Sequence, residues 1–510
     1  MPALTNPGVY INEAPLAFLS NRGNTSRSVA CFFGEALRGP TTATYIDSWT
    51  NFKSQFGNLS QTYDMGYAVY HYFANGGKEA IINRVLPGNA TSASIAVPYY
   101  PNGTTSASAT LLTATGVSEG TWGNGITLQV TNGLVAGSAT VFPTFNLIIR
   151  LDGVEVERWN EISVDPSSNR YALVVLNTYS KFISVAVPTA TANVNWIYYT
   201  SPVSTSNVGG VAGSNGSTVV DQDYIDALSN IDLVEGVLIM NAVGKSSAAV
   251  VNAYLDKAEE RGNSFVIIDP DPTETNVSLI GGDIVRAYTT SSYGAVYYPM
   301  LRMIDPSKSG PAAIRTTFPG GAVMGAYIRT EVARTVAKAP AGFNVELRNA
   351  IGLGMKFTEA QTGDLYSNYN VNMLKAVPGG GIVINGARTL VKTNPGKYIP
   401  IRRSLNFLKQ ALKDVTAFAV FEPNDERLWS RINMTVSSLL SEFWRAGGLR
   451  GTNAEQAFYV VCDETNNTVY SIEDGEVHIE VGVALQYPAE YVIINISQWT
   501  GGAATVERYL

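Results

Sequence analysis

Val234-Glu235-Gly236-Val237-Leu238-Ile239-Met240-Asn241, then Ser246 to Arg261, then Phe265-Val266-Ile267-Ile268-Asp269 is the stretch that decides the fold. The outer parts are short apolar runs, the pattern of strands covered on both faces. Between them Ser246–Arg261 reads as a helix, and Gly262 accepts the left-handed backbone that closes one. Strand, helix, strand at this spacing is a βαβ unit, which builds a sheet covered by helices.

The same texture occurs upstream: a strand over Ser28–Phe33, helices near Ser48–Phe56 and Tyr63–Ala74, and a strand over Ala80–Val85. Tyr63, Tyr67, Tyr70 and Phe73 recur at helical spacing and predict one apolar face, closed off by Asn75-Gly76-Gly77. Between Pro87 and Ser217 charges thin out and alternation takes over. Ile126-Thr127-Leu128-Gln129-Val130 alternates, Ile183, Val185 and Val187 mark another strand, and Asp152-Gly153 joins two β runs as a hairpin turn. This predicts a β-rich domain (88–217) inserted into a discontinuous α/β domain (21–87 plus 218–386). Residues 1–20 hold little that builds a core, only the β-prone patch Val9-Tyr10-Ile11, and read as an extended arm. A C-terminal α+β domain (387–500) and a second arm (501–510) complete a multidomain α/β and α+β chain.

In that last domain, Ile401, Leu405, Leu408, Leu412 and Val415 form the apolar face of one helix, with Arg402, Lys409 and Lys413 clustered on the adjoining face. A second helix has Asn424 as cap, Asp425 and Glu426 in its first turn, the stripe Leu428, Ile432, Val436, Leu439, Phe443, and Gly447-Gly448 as its stop.

At 510 residues, two or three domains are expected, and a net charge of −7 argues against a polyanion as partner. Cys31 and Cys462 lie in apolar runs and read as small core residues. There is no basic segment followed by an apolar stretch at the start, and no run reaches the ~18 apolar residues of a membrane span. A protein folding in a reducing cytosol, without secretory signal or membrane insertion, is the expectation. Candidate chemistry is thin. His71 and His478 lack metal-ligand spacing, and Gly244-Lys245-Ser246 has Ile239 where a phosphate-binding loop requires glycine. Asp269-Pro270-Asp271-Pro272 reads as a rigid turn. No catalytic residue, cofactor or metal is expected.

Several segments, in order, resemble the contractile tail sheath family of phages and phage-tail-like injection systems. They are Pro7-Gly8-Val9-Tyr10-Ile11 with Glu13, Phe33-Gly34-Glu35-Ala36, Asn83-Arg84-Val85, Tyr298-Pro299, Lys338-Ala339-Pro340-Ala341-Gly342 and Gly386-Ala387-Arg388-Thr389-Leu390. The tail adds Val420-Phe421-Glu422-Pro423-Asn424-Asp425, the run Gly475 to Ala484 and Tyr487-Pro488-Ala489-Glu490-Tyr491-Val492. The likeness skips roughly 90–217 and departs from the family pattern at Phe318-Pro319-Gly320-Gly321 and around Arg334–Lys338. It implies a non-enzymatic subunit of a virion tail or tail-like particle, assembled in the bacterial cytoplasm as stacked hexameric rings around an inner tube. The implied partners are further copies of the chain, the inner tail tube protein, and baseplate and tail terminator proteins, with no direct nucleic-acid contact. Under that resemblance, Val9, Tyr10 and Ile11, or Thr505 and Val506, would add a strand to a neighbour's sheet at Val477, Ile479 and Val481, with Val492–Ser497 alongside. Pairing within one chain is the alternative. Arg402, Lys409 and Lys413 would face the tube, or form a solvated helix face.

Overall fold

The computed structural model describes residues 27–99, 109–134, 144–186, 213–379, 381–491, 497–499 and 504–506. With strands numbered along the chain, its frame is a nine-stranded sheet. This contains β1 (Val29–Gly34), β2 (Thr44–Ile46), β3 (Ala80–Arg84), β10 (Leu238–Ala242), β11 (Ser264–Ile268), β12 (Gly294–Tyr298), β15 (Glu346–Leu347), β17 (Asn372–Ala376) and β18 (Ile382–Asn385). The order is β15-β18-β17-β12-β11-β10-β1-β3-β2. From β17 to β3 all pairings are parallel, and antiparallel strands close both edges.

Alternation along each strand feeds two hydrophobic layers. Ala30, Phe32 and Ile239 point to one, with Phe52, Ala68 and Val323 from its covering helices. Val29, Cys31, Phe33 and Met240 point to the other, against Val250, Tyr254 and Leu255 of the helix Ala248–Arg261. That helix begins two residues later than expected, and Gly262 closes it in the left-handed conformation at φ 68°. The single-face expectation for the upstream helix needs correction. In Met65–Ala74 the residues Met65, Tyr67, Val69, His71 and Tyr72 are all buried, whereas Tyr63, Tyr70 and Phe73 are only half-buried. It lies on the sheet beside the helix Gly320–Ala333, which approaches backbone to backbone: a Cβ on Gly321 would sit 2.0 Å from the Ala68 carbonyl oxygen. A helix covered on several sides is apolar around its circumference, and a one-face pattern no longer describes it. Beside it stands a three-stranded antiparallel sheet of β13 (Leu301–Ile304), β14 (Ile314–Thr317) and β16 (Ala350–Leu353).

Residues 94–186 hold two further three-stranded antiparallel sheets. One is β4 (Ser94–Tyr99), β5 (Ala109–Gly116) and β9 (Ile183–Ala186); the other is β6 (Ile126–Asn132), β7 (Thr144–Leu151) and β8 (Val154–Ser163). They enclose their own core around Leu112, Leu128, Phe145, Leu147 and Leu176. Asp152 and Gly153 make the β7–β8 turn with φ of 51° and 81°, as a two-residue hairpin demands. Val187 lies outside the described residues. The entering and leaving chains meet: Thr91 bridges to Ser214, and the Ser217 amide donates to Asn89 Oδ1 at 3.0 Å. The buried Arg84 guanidinium ties this unit to the loop after β1 by donating to the carbonyls of Ala36, Gly39 and Glu119.

The C-terminal part packs the helices Ile399–Thr416 and Glu426–Arg445 with β19 (Phe458–Val461) and β20 (Glu480–Val483). Leu428, Trp429, Ile432, Val436, Leu440 and Phe443 form the buried stripe of the second helix, so Leu440 takes the place expected for Leu439, which is half-buried. Asp425, not Asn424, caps it, accepting from the amides of Arg427 and Leu428. Asn424 instead accepts from the Trp429 indole. Cys31 and Cys462 are free and buried.

Candidate functional site: assembly surfaces of the C-terminal domain

The helix Ile399–Thr416 faces two ways. Leu408 enters the C-terminal core, while Arg403, Asn406 and Gln410 turn toward the parallel sheet. Arg403 pairs with Glu331 at 2.5 Å and donates to Ser28 Oγ at 3.1 Å, beside the start of β1. Asn406 donates to the Ser264 carbonyl, and Gln410 accepts from Asn263. Leu405, Leu412 and Val415 of the expected apolar face are half-buried, and the polar docking side was not legible from hydrophobic spacing.

The basic stripe is split. The Arg402 guanidinium lies 4.4 Å over the Tyr293 ring and donates to its hydroxyl at 3.2 Å, so it is engaged inside the chain and only half exposed. Lys409 Nζ comes within 3.4 Å of the same hydroxyl but is exposed, and Lys413 is exposed one turn further on. Exposed Arg427 and Arg431 follow on the next helix. Between the helices, Val420 and Phe421 project into solvent, and Phe421 holds φ at 67°. Few bulky residues adopt that conformation.

β19 and β20 form a two-stranded antiparallel sheet, Phe458 opposite Val483 and Val461 opposite Glu480. Among the described residues each strand has a hydrogen-bonded neighbour on one side only. Of the expected acceptor residues, only Val481 lies in β20, while Val477 and Ile479 precede it and pack half-buried on the helices. Thr505 and Val506 are in β22 (Ala504–Val506), which pairs with β21 (Ser497–Trp499) of the same chain, Gln498 opposite Thr505. In the single chain the tail therefore folds back on itself rather than onto β20. Val9, Tyr10 and Ile11, and Val492 to Ile496 of the second acceptor segment, lie outside the described residues.

From β20 the chain runs back to the parallel sheet as an extended strap, Tyr487–Tyr491. Tyr487, Ala489 and Tyr491 are exposed, while Glu490 turns inward with its side chain 11% exposed. Its carboxylate takes Arg388 Nε at 2.5 Å, the Tyr398 hydroxyl at 3.2 Å, the Tyr366 hydroxyl, and Lys397 at 3.6 Å. Arg388 in turn stacks 4.0 Å over Tyr366 and donates to the Tyr491 hydroxyl. Burial alone would raise the Glu490 carboxyl; the hydrogen bonds from Arg388 and Tyr366 and the charges of Arg388 and Lys397 overcome it and hold it at about 2. Beside the strap opens a cavity of about 580 Å³ lined by Ala339, Ala341, Ala387, Tyr398 and Tyr487.

Residues 391–498, which include both helices, the two-stranded sheet and the strap, match the family model described as the phage tail sheath C-terminal domain. Over this segment the chain is similar to the C-terminal domain of tail sheath proteins. A tail sheath protein of Vibrio phage KVP40 is 25% identical over 309 residues, 59% of this chain and 42% of that protein. That of Enterobacteria phage T4 is 28% identical over 186 residues, 36% and 27% of the two. The chain thus aligns with less than half the length of either relative. In structure, the sheath complex of an extracellular contractile injection system in its contracted state covers 98% of this chain and 99% of its own, with a TM-score of 0.58 at 19% identity. That likeness is one of fold.

Three features of this segment have no counterpart in the hydrophobic sequence pattern: the inward role of Arg403, the Arg402–Tyr293 stack and the Glu490 cluster. Only the last left a signal, an acidic residue between two aromatic ones in Tyr487-Pro488-Ala489-Glu490-Tyr491.

Proposed function

We propose that this protein is a structural subunit of a contractile sheath, in a phage tail or a tail-derived injection device. Copies stack as hexameric rings around an inner tube, and the array shortens and widens to drive the tube through a target envelope. The observation that carries this reading is the combination of a likeness to the sheath C-terminal domain with a sheath-like fold along nearly the whole chain. Heterologous contacts that repeat give rings where they close and helices where they do not. The one-sided strands β19 and β20 supply edges for strand addition, a mode carried by backbone hydrogen bonds worth about 0.5–1.5 kcal/mol each. Residues 1–20 or the last residues of a neighbour are the proposed donors, and Val481 lies on the proposed acceptor. Lys409 and Lys413, exposed on a net-acidic protein, are the tube-facing charges we favour, with Arg427 and Arg431 beside them; Arg402 positions the helix through Tyr293 instead. Such rim charges contribute roughly 0–1 kcal/mol each, which suits a contact that must release. Besides the tube, baseplate and terminator proteins are the proposed partners, with assembly in the host cytoplasm. Negative-stain microscopy of the purified protein tests the reading: long striated cylinders are expected, and discrete small particles at all concentrations would overturn it.

A further inference from the structure

The strap Tyr487–Tyr491 connects the C-terminal domain to the last residues of the chain, and the manner of its attachment is unusual. No backbone hydrogen bond among the described residues joins 487–491 to the rest of the molecule. Tyr487, Ala489 and Tyr491 are exposed. What holds the segment is one inward side chain, Glu490, met by groups more than 90 positions earlier: Arg388, Tyr366, Tyr398 and Lys397. Supporting contacts come from the rings of Tyr487 against Tyr398, 6.2 Å between centroids, and from the Tyr491 hydroxyl to Arg388.

We infer that Glu490 is the positioning residue of the C-terminal arm: its cluster fixes the root from which the chain beyond Tyr491 departs. The inference rests on the reading above that this arm takes part in assembly. The chemistry fits a mooring better than general stabilisation. Arg388 is itself fixed from the other side, its amide donating to Asn372 Oδ1 at 2.8 Å and its Nη1 to the Tyr366 carbonyl at 2.8 Å, so the cation is in place before the strap arrives. A prepositioned cation with two flanking hydroxyls selects a carboxylate at one register of an extended segment. A slip by one residue along the strap would put Ala489 or Tyr491 into the buried site and leave Arg388 unpaired, which a buried charge does not tolerate. The register of the arm is therefore set at residue 490. Without such a lock, strand addition by a short arm is prone to slip, since each shift of one residue reverses the faces of the strand.

The test uses the full-length chain carrying Glu490→Ala, with Glu490→Gln and the double change Tyr366→Phe/Tyr398→Phe as shape-conserving variants should the first fail to fold. Expected is a rise of about tenfold or more in protease cleavage between 484 and 500, the scale of a broken buried pair, with little change in cleavage elsewhere or in Tm. Tubes of uneven length or none at all should accompany it. Release of the strap with normal tubes keeps the mooring and removes the arm from assembly. Cleavage equal to wild type in every folded variant overturns the mooring, whatever the tubes look like.

Discussion

The parallel sheet and the C-terminal domain solve burial in opposite ways. In the first, nine strands are hydrogen-bonded into one sheet, both faces are covered, and β1 is buried along all six residues. In the second, two strands lie on two helices, and Phe458, Val460, Val481 and Val483 remain half-buried. A two-stranded sheet is marginal alone and depends on what packs against it. One region is complete within a single chain; the other leaves strand edges and half-buried apolar residues, which we propose are covered in the assembly. We take that cover to come from another copy.

The largest effect expected concerns the arm. Removing residues 1–18 should leave the nine described strands of the sheet, which begin at Val29, and abolish polymerisation; normal-length tubes from the truncated chain would return the arm to its own subunit. Next is the seam between the two regions. Arg403→Ala leaves Glu331 without its buried partner beside β1 and should destabilise the fold by about 3–5 kcal/mol, read as a clear fall in denaturation midpoint. A change under about 1 kcal/mol would mean that the seam is wet and the two regions hinge there.

Two carboxyls sharpen the comparison through pH. Burial pushes Asp269, at the end of β11, up to about 6, against hydrogen bonds from the amides of Gly244 and Gly320 and from Asn241 that pull it down. A raised folded value means that this group favours folding most at low pH and that the contribution is lost as pH rises through about 6. Wild type should therefore lose stability relative to Asp269→Asn between about pH 4 and pH 7, by on the order of 2 kcal/mol. Glu490, held at about 2, has the opposite sign: its contribution is present above the ordinary carboxyl range and lost as pH falls from about 5 toward 2. Acid should loosen the strap while Asp269 is most favourable, which protease sensitivity at 484–500 against pH will show.

A smaller effect is expected from removing 88–217, because the ends meet at Asn89 and Ser217 and the removed part has its own core. Tubes should still form, and precipitation of the shortened chain would place the insertion within the lattice. The smallest is Lys409→Glu with Lys413→Glu, which should leave fold and self-assembly intact and weaken docking on the tube. The loss should shrink as salt rises, since exposed charges are screened over about 8–10 Å. Equal numbers of tube-filled particles would make those lysines an ordinary solvated face.

What was legible follows the range of each interaction. The βαβ unit, the Asp152-Gly153 hairpin and the Gly262 stop are set by neighbours a few residues apart, and the sequence carries such signals directly. Local sequence does not show that Arg402 meets Tyr293, 109 positions earlier, or that Glu490 meets Arg388, 102 positions before it. Helical spacing predicts one apolar face, so it failed for Met65–Ala74, which neighbours cover on several sides, and for Ile399–Thr416, whose inner side docks through Arg403, Asn406 and Gln410. Val477 and Ile479 alternate like a strand while packing on helices, so alternation alone extends β20 past its real start.

The most direct test compares hydrogen exchange in the monomer and in assembled tubes. Slower exchange on assembly is expected at 458–461 and 480–483, where strands gain a second neighbour, with no change in β1, β10 and β11. Equal exchange at β19 and β20 in both forms, with tubes present, would contradict strand addition at this sheet.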